Sequence, residues 1–313
     1  MEFKQLRYFV GIVDAGSLTR AAQHLHIAQP ALSQQIVNLE AELGVKLLTR
    51  SVRGVAPTDA GQTFYRHSQF LLRSCSEATA AVRSASEVVS GTVSVGLPTS
   101  VGSVVAVPLI AATRKRFPAV HLQLTDSPSA FLVEMLLQGR LDMAILFTDE
   151  SVKGLDCRPL VMESLLFATR GTGQPDAGPL RDISLSEVAD HELLLPIRPN
   201  HLRLRVDDAF ALIGRVPKVV AEVSSMSVLT HAVASGLADT ITSWSVVSPE
   251  HASGAVVARR IVEPEITRTL SLCQSKVMSF KPATLAVHSL LAELLLKTNT
   301  GAGWRSAIGL QAP

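Results

Sequence analysis

Cysteine, an excess of charge of either sign and long uninterrupted apolar runs are all scarce in this 313-residue chain. Cys75, Cys157 and Cys273 are odd in number and widely separated. They offer neither a metal cluster nor a disulfide framework, and they fit a reducing compartment. The formal net charge is only +2, so any contact with nucleic acid must rest on local charge. No apolar run reaches membrane-spanning length, and the opening MEFKQLRYF lacks the basic-then-apolar order of a signal peptide. The nine histidines are scattered without metal-ligand spacing, and no glycine-rich phosphate loop, nucleophile elbow or CxxC pair occurs. These absences point away from an enzyme, a metal site and a membrane. The expectation is a soluble, cytoplasmic, mixed α/β protein of two or three domains, its 47% hydrophobic residues sufficient for substantial cores.

What is present is concentrated first in Ser17 to Leu43. Ser17 suits the N-cap of a short helix whose apolar side is Leu18, Ala21, Ala22 and Leu25. Gln29-Pro30 opens a second helix, because proline fits the first helical turn, where its missing N–H costs nothing. Ala31, Leu32, Ile36, Leu39 and Leu43 recur at helical spacing, while Ser33, Gln34, Gln35 and Asn38 point elsewhere with side chains that can hydrogen-bond base edges. This is the layout of a helix-turn-helix with a recognition helix. An ordinary helical hairpin with a polar solvent face fits the same residues.

The flanking segments favour the first reading. Phe3 to Ala15 predicts another helix, ended by Gly16. After Gly44, two short strands near Leu47 to Arg50 and Gly54 to Thr58 make a wing whose positive charge comes from Lys46, Arg50 and Arg53. A basic wing can hold phosphate or enter the minor groove, although arginine at a turn is also commonly just solvated. From Asp59 to Val89 a long helix is predicted, its apolar positions Phe64, Leu71, Cys75, Ala78, Val82, Ala85 and Val89 forming an a/d seam. A lone helix cannot bury such a stripe, so a second copy is the simplest partner; packing on the chain's own C-terminal region is the alternative.

Beyond Ser90-Gly91 strands alternate with helices, which predicts right-handed crossovers and a largely parallel sheet. Expected elements include a strand at Thr92 to Leu97, a helix from about Val104 to Phe117, one strand at Leu160 to Thr169, a strand from Asp239 to Trp244 and a loose tail from Thr298. In αβ sheets ligands lie near strand C-terminal ends and helix N-termini. Thr99 and Ser100 stand at such a place and suit an anion, unless they serve only as helix caps.

The segments Ser17 to Arg50 (SLTRAAQHLHIAQPALSQQIVNLEAELGVKLLTR) and Arg53 to Gly61 (RGVAPTDAG) resemble the N-terminal signature of LysR-type transcriptional regulators. The resemblance implies an N-terminal all-α winged helix-turn-helix over residues 1–58, a linker and dimerisation helix over 59–89, and a two-lobed, periplasmic-binding-protein-like effector domain over 90–300. Lobe I would span about 91–161 and 266–300, lobe II about 162–265, with 301–313 a tail. It implies that Gln29, Pro30, Ser33 and Gln34 face double-stranded promoter DNA and that Arg50 and Arg53 belong to the contacting wing. It implies a homodimer reading a pseudo-palindromic site, a further dimer of dimers, and RNA polymerase as another partner. By topology and resemblance together, Thr99, Ser100, Ser127, Ser129, Phe147, Thr148, His201, Leu202 and Met226 should line an effector cleft, suited to a small organic anion. One departure stands out: Asp239 places a charge in a strand that should be buried, where it needs a partner or a strand end. The resemblance also leaves open a DNA-binding regulator that works without a small effector and is controlled by its abundance.

Overall fold

The structure, a computed structural model, describes residues 1–51, 54–83, 88–148, 151–174, 178–276, 281–300 and 307–309. The chain divides into two compact units, the first comprising Met1–Val88 with Leu137–Arg140.

In the N-terminal unit, α1 (Phe3–Ala15), α2 (Leu18–His24) and α3 (Gln29–Leu43) are followed by β1 (Leu48–Ser51), β2 (Gly54–Pro57) and α4 (Asp59–Arg83). Local chemistry sets the boundaries. Gly16 and Gly44 end their helices in the left-handed region, at φ 61° and 70°. The Ser17 hydroxyl accepts from the Arg20 N–H, and Pro30 sits in the first turn of α3. Leu6, Phe9, Ile12, Ala21, Leu32, Ile36, Leu39 and Leu47 form the core, each fully or almost fully buried. Phe64, expected at the first seam position of the linker helix, belongs here instead. It is half-buried and meets Phe9 edge-on at 5.1 Å. Leu71 and Cys75 further along α4 are exposed. Ala85 and the side chains of Ala78 and Val82 lie outside the described residues, whereas Val89 packs on the C-terminal core.

Among the described residues, the C-terminal unit contains two six-stranded sheets. The first is built from β3 (Gly91–Leu97), β4 (Val120–Asp126), β5 (Met143–Phe147), β6 (Leu155–Ser164), β13 (Thr267–Ser275) and β14 (Ala307–Gly309), in the order β14-β6-β13-β5-β3-β4. The second holds β7 (Leu166–Arg170), β8 (Asp182–Ser184), β9 (Glu192–Leu195), β10 (Lys218–Glu222), β11 (Asp239–Thr242) and β12 (Val256–Val262), in the order β10-β9-β11-β7-β12-β8. Around them lie α5 (Thr99–Arg116), α6 (Ser129–Leu137), α7 (Leu185–Val188), α8 (His201–Leu212), α9 (Met226–Ala234), α10 (Trp244–Ala252) and α11 (Pro282–Thr300).

Several expectations are corrected. The sheets are mixed: β4-β3-β5 and β10-β9-β11 are parallel, but β13 is antiparallel to β5 and β6, and β7 to β11 and β12. The apolar run Leu160 to Thr169 is two strands, because the chain leaves the first sheet after Ser164 and enters the second at Leu166. At the break, the Leu165 N–H donates to Ile266 O on the returning crossover, at 2.8 Å. Helix α5 begins at Thr99 rather than near Val104, since the Pro98 carbonyl already accepts from the Val101 and Gly102 N–H groups. Trp244 ends no strand but starts α10. Within the segment expected to be a tail, α11 continues to Thr300 and Ala307–Gly309 pairs with β6. The antiparallel register of β13 on β6 sets Cys273 opposite Cys157, Cα–Cα 4.1 Å, and the two form a disulfide that their separation in sequence conceals.

Candidate DNA-binding face and inter-lobe cleft

Helix α3 presents its polar residues on the side away from the core. Gln34 and Pro30 are exposed; Gln29 and Ser33 are half-buried. The Gln34 amide donates to the Asn38 side chain at 2.9 Å, so two side chains able to read base edges are joined one turn apart. The wing returns to the same face: the Arg50 guanidinium donates to the Ser33 hydroxyl at 3.1 Å. Arg53 lies outside the described residues.

Two features that sequence reasoning missed hold this wing in place. Glu40, on the buried side of α3, accepts from the Leu47 and Leu48 N–H groups at 2.9 and 3.1 Å and from Lys46 Nζ at 2.7 Å. Burial pushes its carboxyl up, but those three donors together outweigh it and hold the pKa below the ordinary carboxylate value. Lys46, expected to contribute to the wing's positive charge, is thereby paired with Glu40. Glycine supplies the second feature. A Cβ on Gly61 would fall 1.9 Å from the Leu47 carbonyl oxygen. The signal for Glu40 was an acid near the end of an amphipathic helix, in phase with Ile36 and Leu39.

In the C-terminal unit a cleft of about 310 Å³ opens between the two sheets. Thr99, Ser100, Ser129, Phe147, Thr148, His201, Leu202 and Met226 line it together. Ser127 does not: its N–H closes onto Leu97 O at 3.2 Å, and it is Pro128 and Ser129, at the start of α6, that reach the cleft. The first residues of α5, α6, α8 and α9 and the N-cap of α10 all converge here, which directs the positive ends of five helix dipoles into one space. Among the described lining residues there is no carboxylate. The Thr99 hydroxyl is engaged by Asp126 at 2.5 Å, and the Ser129 hydroxyl accepts from the Phe147 N–H at 3.3 Å.

Arg268, which sequence reasoning did not single out, gives the cleft its cation. Its guanidinium lies 3.5 Å from the centroid of the Phe147 ring, donates through Nε to Glu163 at 2.6 Å, and reaches the Ser100 hydroxyl at 3.4 Å. Glu163 and Arg268 are 1% and 4% exposed, so this is a buried ion pair. Burial pushes the Glu163 carboxyl up, against the pull of the guanidinium. The available signal was Arg268 standing in the same strand phase as the buried Leu270 and Leu272. Thr242, 1% exposed, also lines the cleft, and its hydroxyl has no hydrogen-bond partner among the described residues. Asp239 proves harmless to the site. It opens β11, pairs with His191 Nδ1 at 2.7 Å, and is absent from the cleft, which the opposite end of the strand reaches through Thr242.

Residues 3–62 match the bacterial regulatory helix-turn-helix protein, lysR family, and residues 86–295 match the LysR substrate binding domain. The chain belongs to the LysR family. It is similar to the nitrogen assimilation regulatory protein nac of Escherichia coli K12, 39% identical over 302 residues that cover 94% of this chain and 95% of that protein. The nac protein of Klebsiella aerogenes is 39% identical over 297 residues, with the same coverage. Among solved structures, full-length CbnR complexed with its target DNA is 25% identical, covering 94% of this chain and 99% of that one, at a TM-score of 0.66. A full-length OxyR variant from Pseudomonas aeruginosa, 23% identical with 100% and 99% covered, shares the fold at a TM-score of 0.74. This LysR-type chain is therefore a DNA-binding transcriptional regulator with a mixed α/β C-terminal domain. No helix among its described residues is long and apolar enough to cross a membrane.

Proposed function

We propose that the chain regulates promoters of nitrogen assimilation or related metabolism in the cytoplasm, binding a pseudo-palindromic site as a dimer or dimer of dimers. The observation that carries the DNA-reading part is the Arg50–Ser33 contact, which makes recognition helix and wing one continuous surface. On it, Gln34 and Gln29 address base edges or phosphate, Pro30 and Ser33 set the approach of α3, and Arg50 and Arg53 hold phosphate or the minor groove. The exposed Leu71 and Cys75 on α4 support pairing of linker helices. Exposed Val107 and Ile110 on α5, with Leu212, Val216 and Val220 around α8 and β10, support further pairing of C-terminal domains. RNA polymerase is the partner such a regulator engages at a promoter.

The cleft reads as the effector site for a small organic anion with an apolar body. Arg268, the hydroxyls of Ser100 and Thr242 and the helix N-termini would meet the charge; Phe147, Leu202 and Met226 would meet the rest.

Footprinting on the natural promoter tests the first part. Arg53→Ala should lower affinity across all sequences, whereas Gln34→Ala should mainly relax the preference at one base pair. An unchanged footprint in both variants would refute the docking. Titrating the full chain with acetate, succinate and benzoate, and following its melting temperature, tests the second part. A saturable rise that is lost in Thr242→Val supports the effector site; no rise with any of the three favours control by abundance.

A further inference from the structure

The polar side chains along α3 are not equivalent, because two of them are tied back to the protein. The Ser33 hydroxyl accepts from Arg50 of the wing at 3.1 Å. The side-chain amides of Gln35 and of Gln5, on α1, meet at 3.4 Å, and Gln5 is only 6% exposed. Gln34 and Asn38 are different. Both are exposed, and among the described residues their side chains bond only to each other, at 2.9 Å.

Four residues along an α-helix turn a side chain by about 40° and advance it by about 6 Å, so the two amides stand on one stripe, one above the other. An unrestrained glutamine rotates about each of its side-chain bonds and must give up that freedom to grip a base. Here part of the ordering is in place before DNA arrives, which lowers what binding has to supply. The bond does not use up the reading edge. A carboxamide carries two N–H donors and two carbonyl lone pairs. Gripping adenine at N6 and N7 takes one of each. Pairing with Asn38 occupies a single further valence of Gln34, an N–H when Gln34 donates and a lone pair when Asn38 does. In both arrangements a donor and an acceptor remain for the base, so the conclusion does not depend on which amide gives the hydrogen.

We infer that Asn38 is a positioning residue for sequence reading: it holds the Gln34 amide in the bidentate arrangement that selects adenine, and the two side chains read one A·T base pair as a unit. This rests on the docking of α3 in the major groove proposed above. Asn38 takes no base of its own. Recognition helices address base edges through their N-terminal residues, and Asn38 lies a full turn beyond Gln34. Without Asn38, Gln34 still reaches the base but is no longer held, so discrimination falls at that base pair and nowhere else.

Equilibrium binding of the full chain to its natural promoter, and to variants of that promoter changed at one base pair each, tests this. A bidentate contact favours the right base over a wrong one by roughly tenfold or more. Gln34→Ala should abolish that preference at one A·T pair. Asn38→Ala should reduce it by at least about threefold at the same pair and leave the others unchanged, and the double variant should match Gln34→Ala. Asn38 is exposed, so the melting temperature of Asn38→Ala should stay at the wild-type value, which separates lost positioning from lost fold. Three results would overturn the inference while leaving the docking intact. Asn38→Ala could weaken all sequences equally, as a phosphate contact does; it could relax a different base pair; or it could leave the preference unchanged beside a relaxed one in Gln34→Ala. Losses that simply add in the double variant would overturn it too. An unchanged preference in Gln34→Ala would overturn the docking itself, and the inference with it.

Discussion

Arg50 and Arg268 both reach a serine hydroxyl, and the contrast between them separates the two working regions of the molecule. Arg50 lies exposed on the wing, 3.1 Å from Ser33, with no carboxylate paired to it among the described residues. Arg268 lies 4% exposed at the cleft, tied to Glu163 and flat against Phe147. A solvated guanidinium lightly held by a neutral hydroxyl keeps nearly all its charge for an incoming phosphate. A buried one is committed, because its removal strands an acid in a dry interior. Under the proposed function the same difference suits the ligands: the wing would meet a polyanion arriving from water, the cleft a single small anion that must leave water to enter.

The sharpest way to break the comparison is to remove each arginine in turn. Arg268→Ala should destabilise the C-terminal domain by about 3–5 kcal/mol, the usual cost of leaving one partner of a buried pair uncompensated. Urea unfolding followed by tryptophan fluorescence measures it. Adding Glu163→Gln to that variant should recover a large part of the loss; if it does not, the ion pair is not what Arg268 contributes. Glu40→Ala comes next. It leaves the Leu47 and Leu48 N–H groups without their acceptor, at about 1–3 kcal/mol for each buried group abandoned. The same bond has a pH signature. The Glu40 carboxyl titrates below its ordinary 4.5 when folded, so its contribution is complete above that value and fades as pH falls through the lower folded value. Wild type should therefore lose N-terminal stability on acidification while Glu40→Gln, already lacking the charge, loses less.

Arg50→Ala should leave unfolding within about 0.5 kcal/mol of wild type, as for most exposed substitutions. Its effect belongs to DNA: uniformly weaker binding across sequences and a salt dependence shallower by about one ion. A change in base preference instead would mean that Arg50 reads sequence, and the wing would no longer differ in kind from α3.

How much of this was legible in the chain depended on whether a residue's signal was local. Ser17, Gly16, Gly44 and Pro30 act within a few residues of themselves, and the helices they bound were readable to within a residue or two. Leu160 to Thr169 was not, because one continuous apolar run serves two sheets, and only the Leu165–Ile266 crossover cuts it. Helix α10 was hidden by Pro249 and by its aromatic first residue, Trp244, which reads as the end of a strand. The cleft was legible as a set of helix N-termini, and Thr99, Ser129 and His201 all stand on its lining. Ser127 was too early by the two residues that turn the chain into α6. Arg268 and the Cys157–Cys273 pair depend on strand register across the sheet, and register is not written in either strand alone.

The smallest expected effect uses a third arginine to test the argument from burial. Arg116, at the end of α5, grips Glu293 of α11 through both terminal nitrogens at 2.7 and 3.2 Å, and Lys297 joins the same carboxylate. The geometry is as good as that of Arg268 on Glu163, but the pair stands in solvent. Hydrogen bonds from Arg116 first, and then from Lys297, lower the Glu293 carboxyl from 4.5 to about 2. A depressed acid contributes stability above its unfolded value and loses it as pH falls through its folded one, so the window lies between about 4.5 and about 2. Solvent screening keeps the contribution small. The melting temperature of Glu293→Gln should lie barely below wild type at pH 6, and the two should coincide near pH 2. A loss at pH 6 as large as that of Arg268→Ala would show that bidentate geometry, rather than burial, decides what an arginine is worth in this protein.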